Sequence, residues 1–226
     1  ARLRVAGPVI VADSPEQAVE RVNAAADMNV DYIKIRVDDN LGSSQKMPPT
    51  IYKAVIDTAH SRDLKLTAHL YYLDDAKGLL TAGADFVAHS VRDELVDDEL
   101  IDLLKANDVC VCPTLMREVS TFVYEERPDW FDDPFFTRDA DPAVLAALEA
   151  PEYQERIRNS QSAQTYKTQL EVAKQNLKLL SDAGIRIAMG TDTGPAARFQ
   201  GYFEHGELGL MVDSGLTPMQ AIVAST

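Results

Sequence analysis

Four side chains with the capacity for metal or acid–base chemistry lie at or near the ends of apolar runs. Lys34 lies in VDYIKIRV, His69 in LKLTAHL, His89 in ADFVAHS and Asp192 in IRIAMGTD. A neutral imidazole is a good ligand for zinc and related divalent ions, and a carboxylate can bind metal or carry a proton. A lone histidine is more often a structural residue, but two at matching positions on successive runs favour a ligand role. The pattern therefore predicts a metal site.

Lys34 is the least expected of the four, because it interrupts an otherwise apolar run. Strand alternation places Lys34 and Arg36 on one face and the neighbouring isoleucines on the other. The alternative to a site role is a lysine that extends to the strand end and pairs with Asp38 or Asp39. Arg36 could hold a substrate carboxylate through two hydrogen bonds, or pair with Asp38.

Amphipathic helices alternate with six apolar runs along the chain, which predicts an α/β fold with a parallel sheet covered on both faces. The runs cover residues 3–11, 30–37, 64–70, 84–90, 108–115 and 185–192. The chain lacks the common glycine-rich phosphate loops, which disfavours a doubly wound nucleotide-binding sheet. Reactive residues at the carboxyl ends of several strands are typical of (β/α) barrels. Ser14, Asp74 and Asp97 are expected to begin helices.

The segment of about 115–165 interrupts this alternation and carries many aromatic residues, including the single Trp130. A loop of this length is usually functional or disordered, and its aromatic content disfavours disorder. We expect a lid-like insertion that covers the substrate, with a partner contact or a purely structural insertion as the alternatives.

Composition excludes several function classes for this chain of 226 residues. A formal net charge of −14 argues against nucleic acid and against anionic membrane surfaces. A small-molecule substrate is the expected partner because of the candidate site residues, not because of the charge. No apolar run reaches the ~20 residues of a membrane span. Cys110 and Cys112 are expected to be core residues. A soluble protein is expected; its compartment, and association between copies of the chain, are left open.

The motifs YIKI, TAHL, VAHS and GTDTG, in this order on successive strands, resemble the amidohydrolase superfamily, in particular its imidazolonepropionase-like and prolidase-like branch. The resemblance implies a partial (β/α)8 TIM-like barrel over residues 1–226, from about strand 3 to strand 8 with their helices. It also implies a binuclear site with two divalent ions, zinc being expected, and carbon dioxide that converts Lys34 into a metal-bridging carbamate.

The same resemblance implies roles for individual residues. His69 and His89 would bind the second metal, and Asp192 would bind the first metal and act as general base and then acid toward a metal-bridging hydroxide. Tyr71 could donate a hydrogen bond to the oxyanion. His205 could contact substrate or simply begin its helix.

One feature of the family is missing, since no His-x-His pair occurs in the chain. Both ends look like cuts through a larger domain, so we expect residues 1–226 alone to be poorly stable and inactive. The resulting hypothesis is a metal-dependent hydrolase of carbon–nitrogen bonds in an amide, lactam or dipeptide. The alternatives are an inactive barrel used as a ligand-binding domain, and a metal-free enzyme that uses Lys34 as a Schiff-base amine.

Overall fold

The structure is a computed structural model that describes residues 3–226. Its contacts divide the chain into two compact units. The first unit runs to Cys112 and also includes Leu179–Ile187, and the second unit comprises Pro113–Lys178 and Ala188–Thr226. That these residues form one partial barrel domain with an insertion stays a prediction.

The first unit contains a four-stranded parallel sheet with the strand order β1-β2-β3-β4. The strands are β1 (Tyr32–Arg36), β2 (Lys65–His69), β3 (Phe86–Ala88) and β4 (Cys110–Cys112). Helices alternate with them: α1 (Pro15–Asp27), α2 (Pro49–Ser61), α3 (Leu73–Ala82) and α4 (Asp98–Ala106). The α/β fold with a parallel sheet is therefore confirmed, whereas closure into part of a (β/α)8 barrel stays a prediction.

The first and last of the six expected strands are reduced to single bridges, Ile10 with Ile35 and Val111 with Ile187. Pro8 lies in the first of these segments and has no backbone N–H to donate to a sheet. In the last segment, the Met189 amide donates to the carbonyl oxygen of Ala224 at 2.7 Å instead of to a strand. Both predicted strands are therefore shorter than their apolar runs.

Side chains at the expected positions begin two of the helices. The Ser14 hydroxyl accepts from the Gln17 amide before α1, and the Asp97 carboxylate accepts from the Leu100 amide before α4. The prediction for Asp74 is wrong by two residues. Tyr72 precedes α3, and Asp74 lies in its first turn, where a negative charge still favours the helix dipole.

The apolar face of β1 is the centre of the core of the first unit. Ile33 and Ile35 are fully buried in one hydrophobic cluster with Val55 and Ile56 of α2. The opposite face of β1 carries Lys34. The strand therefore separates an apolar face, which stabilises the sheet, from a face on which polar chemistry is available.

The second unit is mainly helical. Its helices are α5 (Leu115–Phe122), α6 (Pro134–Thr137), α7 (Pro142–Glu149), α8 (Pro151–Arg158), α9 (Gln161–Asp182, which ends in the first unit), α10 (Tyr202–Asp213) and α11 (Pro218–Ala224). The aromatic segment folds around a cluster of Tyr124, Phe131 and Phe136, with Trp130 packed against it. Its role as a lid stays a prediction. None of the helices within residues 3–226, α9 included, is both long and apolar enough to cross a membrane.

Glu207 of α10 is a fully buried carboxylate in the second unit. Its oxygens accept hydrogen bonds from the backbone amides of Leu115 and Met116, at 2.9 and 2.7 Å, where α5 begins. Burial raises the pKa of Glu207 from an ordinary value of 4.5 to about 8, although these two hydrogen bonds act in the opposite direction. Glu118 and Glu204 add to the rise.

We expect this buried acid to make the protein less stable as the pH rises. Between pH 4.5 and about 8 the folded state holds a proton that the unfolded state has released. The free energy of unfolding therefore falls by up to ~1.4 kcal/mol per pH unit in this window. Glu207→Gln should flatten the slope, as measured by urea unfolding from pH 5 to 8. Glu171→Gln, on the exposed face of α9, is the matched control, and equal slopes in both variants would contradict the expectation.

Candidate active site

The register of the sheet places the lysine and the first histidine on one face. Lys34 is paired with Thr67, and Arg36 is paired with His69. Residues in register on neighbouring parallel strands share a face, and residues two apart on one strand also share it. Lys34 therefore lies on the His69 face of the sheet, one pleat before the end of β1.

His89 reaches His69 by a local change in the backbone and not by strand register. Ala88 is the register partner of His69, so regular alternation would direct His89 to the opposite face. His89 instead has a φ of 76°, in the left-handed region that a residue with a side chain rarely adopts. Its ring centroid lies 4.3 Å from that of His69. The expectation of matching strand positions is therefore wrong by one residue, but the expected pairing of the two histidines is found.

A left-handed backbone occurs at two residues just beyond strands and at Asp192. His89, Thr114 and Asp192 have φ values of 76°, 52° and 55°. Such conformations cost of order 1–3 kcal/mol each, and they concentrate at active sites and ligand clamps. Asn29, Asp63 and Asp108, which precede β1, β2 and β4, have similar φ values, so this geometry supports a site only at His89, where it accompanies the contact with His69.

Asp38 is the carboxylate beside the histidine pair. Its Oδ2 atom lies 2.7 Å from Nε2 of His69, and its side chain is only 3% exposed. Burial by itself raises the pKa of Asp38, but the hydrogen bond and charge of His69, the Asn40 amide and the Arg36 charge outweigh it. The pKa of Asp38 therefore lies well below its usual range, and the group is a buried carboxylate. A carboxylate in this position orients an imidazole that binds metal.

Arg36 pairs with Asp38, which is one of the two roles expected for it. Its Nη2 and Nε atoms donate to Asp38 Oδ1 at 3.0 and 3.2 Å. The alternative role of Lys34, an ion pair with Asp38 or Asp39, is not found. Within residues 3–226 Lys34 has no ion pair, and Asp39 accepts a hydrogen bond from the Tyr72 hydroxyl at 2.7 Å.

The Lys34 side chain lines a cavity of about 650 Å³ in the first unit. Thr67, Phe86 and Cys110 line the same cavity, and they form with Lys34 one row across the four strands. Cys110 is a half-buried free thiol whose pKa is raised by burial. The cavity has room for a small reagent such as carbon dioxide beside Lys34, but residues at the beginnings of the strands, such as Lys65, line it, and neither His69 nor His89 does.

Tyr71 and Tyr72, which follow β2, differ in their surroundings. The Tyr71 ring is buried, and the guanidinium carbon of Arg92 lies 4.7 Å from its centroid. The Tyr72 hydroxyl donates a hydrogen bond to Asp39. Burial is the larger cause of a raised Tyr72 pKa, and this hydrogen bond is the second cause. Contact of Tyr71 with an oxyanion stays a prediction.

Asp192 lies in the second unit and is held by Arg198. The Arg198 Nη1 atom donates to Asp192 Oδ2 at 2.5 Å and to the Asp192 carbonyl oxygen at 3.1 Å. The Nε atom of Arg198 donates to the Ser120 hydroxyl at 3.1 Å. The carboxylate expected to move protons therefore has a defined orientation.

An aromatic cavity of about 500 Å³ lies in the second unit next to this pair. Its walls include Phe135, Phe136, Val144, Arg198, Phe199 and Tyr202. Trp130 packs behind the wall, with ring-centroid distances of 4.7 Å to Phe136 and 5.1 Å to Tyr202. His205 is exposed in the first turns of α10, 5.1 Å from the Phe135 ring. Contact of His205 with substrate stays a prediction.

The donors in the first unit fit a divalent ion in their chemistry but are incomplete in number. His69 and His89 are two adjacent, sheltered imidazoles with a carboxylate beside them. Over the part of the chain that the structure describes, no group of three or more His, Cys, Asp or Glu side chains is arranged to hold a metal ion. A carboxylated Lys34 would add oxygen donors on the same face of the sheet.

Three residues around these groups were not found by sequence reasoning about site chemistry. Asp38 was considered only as a partner for Lys34 or Arg36, although its position two residues beyond β1 could have indicated the end of a strand. Arg92, three residues after His89, and Arg198, six residues after Asp192, are close in sequence to the residues they support. This closeness in sequence is the signal that could have identified Arg92 and Arg198.

Sequence comparison finds limited similarity to known proteins. No protein-family model matches the chain. A segment of 67 residues is 34% identical to the uncharacterized protein Rv2915c of Mycobacterium tuberculosis and to the uncharacterized protein Mb2939c of Mycobacterium bovis. The segment is 30% of this chain and 17% of each relative.

Structure comparison extends over almost the whole chain. A Xaa-Pro dipeptidase with methionine bound in its active site is similar with a TM-score of 0.69 and 20% identity, over 97% of this chain and 48% of the dipeptidase. An amidohydrolase has the same TM-score at 19% identity, over 96% and 46%. The ochratoxinase of A. niger has a TM-score of 0.67 at 19% identity, over 97% and 43%.

The chain thus spans less than half of the length of each of these three enzymes. At these identities the similarity shows the fold. The chain is similar in fold to a Xaa-Pro dipeptidase and an amidohydrolase of known structure.

Proposed function

We propose that the protein is a metal-dependent hydrolase that cleaves a carbon–nitrogen bond in an amide, a lactam or a dipeptide. The observation that carries the proposal is the His69–His89 pair, with ring centroids 4.3 Å apart and the buried Asp38 carboxylate 2.7 Å from His69. The left-handed backbone of His89 accompanies this contact, and such conformations are enriched at active sites. The fold shared with a dipeptidase and an amidohydrolase supports the same class of reaction.

His69 and His89 would hold a divalent ion, and Asp38 would orient the first of them. Lys34 would contribute after reaction of its neutral amine with carbon dioxide, in which the nitrogen bonds to carbon, one proton leaves and a carbamate anion forms. That anion offers two oxygens where the amine offers one nitrogen. When bound, two divalent ions supply Lewis acidity, which polarises a carbonyl group and acidifies water.

Asp192 would move the proton. In hydrolysis of an amide, water adds to the carbonyl carbon, and the nitrogen must be protonated before it leaves. Asp192 would accept a proton from the water and deliver it to that nitrogen. Arg198, which bonds to both the side chain and the carbonyl oxygen of Asp192, would hold the carboxylate in one orientation through the two transfers.

The aromatic cavity favours substrates with a bulky apolar group. Four of its lining side chains are aromatic rings, and Arg198 joins this wall to Asp192. A ring of the substrate would replace water against these surfaces, and removal of apolar area from water contributes ~25 cal/mol per Å². We therefore propose an N-acyl amino acid or a dipeptide with an aromatic or large aliphatic side chain as the substrate class.

A hydrolysis panel tests this proposal in the full-length natural protein loaded with zinc. We expect phenylalanine- and leucine-containing dipeptides and N-acyl amino acids to be cleaved with higher kcat/KM than their alanine counterparts. Phe135→Ala should lower kcat/KM for the bulky substrates by about 10-fold, since apolar contacts discriminate by 10- to 200-fold. It should leave the alanine substrates unchanged.

Met219→Ala is the control for this panel, because Met219 is an exposed apolar residue of α11 that does not line the cavity. Binding that changes the fluorescence of Trp130 without any cleavage would contradict the hydrolase. Cleavage with equal kcat/KM for bulky and small substrates would contradict only the apolar preference.

A further inference from the structure

Arg92 links the chain segments that follow the two histidines. It lies in the loop after β3 and is fully buried. Its Nη1 atom donates to the carbonyl oxygen of Leu70 at 3.1 Å and to that of Ser90 at 2.6 Å. Leu70 directly follows His69, and Ser90 directly follows His89. One guanidinium nitrogen therefore bonds to both residues that adjoin the histidine pair.

Two further contacts hold Arg92 in this position. Its backbone amide donates to the carbonyl oxygen of Tyr71 at 3.2 Å, which adds a second link to the segment after β2. Its guanidinium lies over the Tyr71 ring at 4.7 Å, within the range of a cation–π contact. Arg92 is thus held both through its guanidinium group and through its backbone amide.

Burial of a cation between two strands is energetically unfavourable. Removal of an ion from water costs several kcal/mol even after relaxation, and the sheet hydrogen bonds already hold β2 beside β3. The β2–β3 register ends at Ala88, and His89 is bonded to β4 instead, its backbone amide donating to the carbonyl oxygen of Cys112 at 2.8 Å. No bond of the register therefore sets the distance from His89 to His69. The bond from Arg92 to Ser90 acts on the residue immediately after His89.

We infer that Arg92 is a positioning residue that sets the separation of His69 and His89 and so determines metal affinity. The inference rests on the proposed metal-dependent function. A lysine at this position would keep the positive charge, but it would lose the guanidinium group that here donates to two carbonyl oxygens and lies over a tyrosine ring.

The test compares Arg92→Lys with the wild type in the full-length natural protein. Zinc affinity is measured by competition with a chromophoric chelator, and ligand geometry by the visible absorption of the cobalt-loaded protein. We expect zinc affinity to fall by about 10- to 100-fold, as for other residues that orient metal ligands, and the cobalt spectrum to change. Leu104→Ala is the control, because Leu104 is a core residue of α4. It should lower the melting temperature while both metal measurements stay at wild-type values.

A second variant keeps the inference testable if Arg92→Lys does not fold. Tyr71→Leu removes the ring beneath the guanidinium and leaves both carbonyl acceptors, so a smaller fall in zinc affinity is expected. If Arg92→Lys folds and keeps the wild-type zinc affinity and cobalt spectrum, the positioning role of Arg92 is wrong, while the proposed hydrolase function is unaffected. If Arg92→Lys does not fold, the same result in Tyr71→Leu has the same meaning. Equal losses of affinity in Leu104→Ala would also overturn the positioning role. A wild-type protein that binds no zinc or cobalt would overturn the proposed function and the inference with it.

Discussion

Replacement of Lys34 by alanine in the full-length natural protein should remove most of the bound metal and most of the hydrolytic activity. Acetate or propionate added to the variant should restore part of both. A short carboxylic acid can enter the space left by the side chain and offer two oxygens in place of the carbamate. The cavity of about 650 Å³ that Lys34 lines is large enough for such an acid. The measurements are zinc content and hydrolysis rate, with and without added acid.

Lys65→Ala is the matched control for this experiment. Lys65 begins β2 and lines the same cavity, so its removal changes the charge and volume of the cavity without touching the proposed bridge. We expect full metal content and no effect of added acid in that variant. Full metal retention in Lys34→Ala would reject the carbamate, because a lysine that serves only as a cation contributes no metal ligand.

Substitution of either histidine should have a comparably large effect. His69→Ala or His89→Ala is expected to remove at least one equivalent of metal and to lower kcat by about 10³-fold or more, since a two-metal site needs both ions for its Lewis acidity. Asp38→Asn should cost less, about 10- to 100-fold in metal affinity, because it disturbs the orientation of His69 and leaves the ligand in place.

His60→Ala is the control for the histidine series. His60 is a half-exposed histidine of α2 that pairs with Asp85 at 2.9 Å, away from the His69–His89 pair in sequence. Its loss should leave metal content unchanged. If His69→Ala and His89→Ala both retain full metal and full kcat, the pair is a structural contact and the proposed centre lies elsewhere.

The elements of the first unit could be predicted because local patterns determine them. Apolar runs and helix-capping side chains identified β1 to β4 and the beginnings of α1 and α4. The two outer strands were overestimated, because their length depends on which partner the backbone amides find, as for Met189 with Ala224. Partner choice is a property of the folded chain.

The candidate site was predictable in its residue types and less so in its geometry. The types of His69 and His89 and their places at strand ends indicated a pair, but the left-handed φ of His89 that directs its ring to His69 has no signature in the sequence. The same limit applies to Asp38, whose partner among Lys34, Arg36 and His69 depends on packing. Alternation predicts which face a residue occupies only while the strand stays regular.

Metal content of the purified full-length protein shows whether its hydrolysis depends on bound divalent ions. Metal is quantified by mass spectrometry before exhaustive chelation, after it, and after zinc is returned, with hydrolysis of the dipeptide and N-acyl amino acid panel measured at each stage. We expect about two equivalents of divalent metal per chain. Hydrolysis should be lost with the metal and recovered when zinc is returned with bicarbonate present. Hydrolysis that continues at the original rate in fully metal-free protein would contradict the proposed metal dependence.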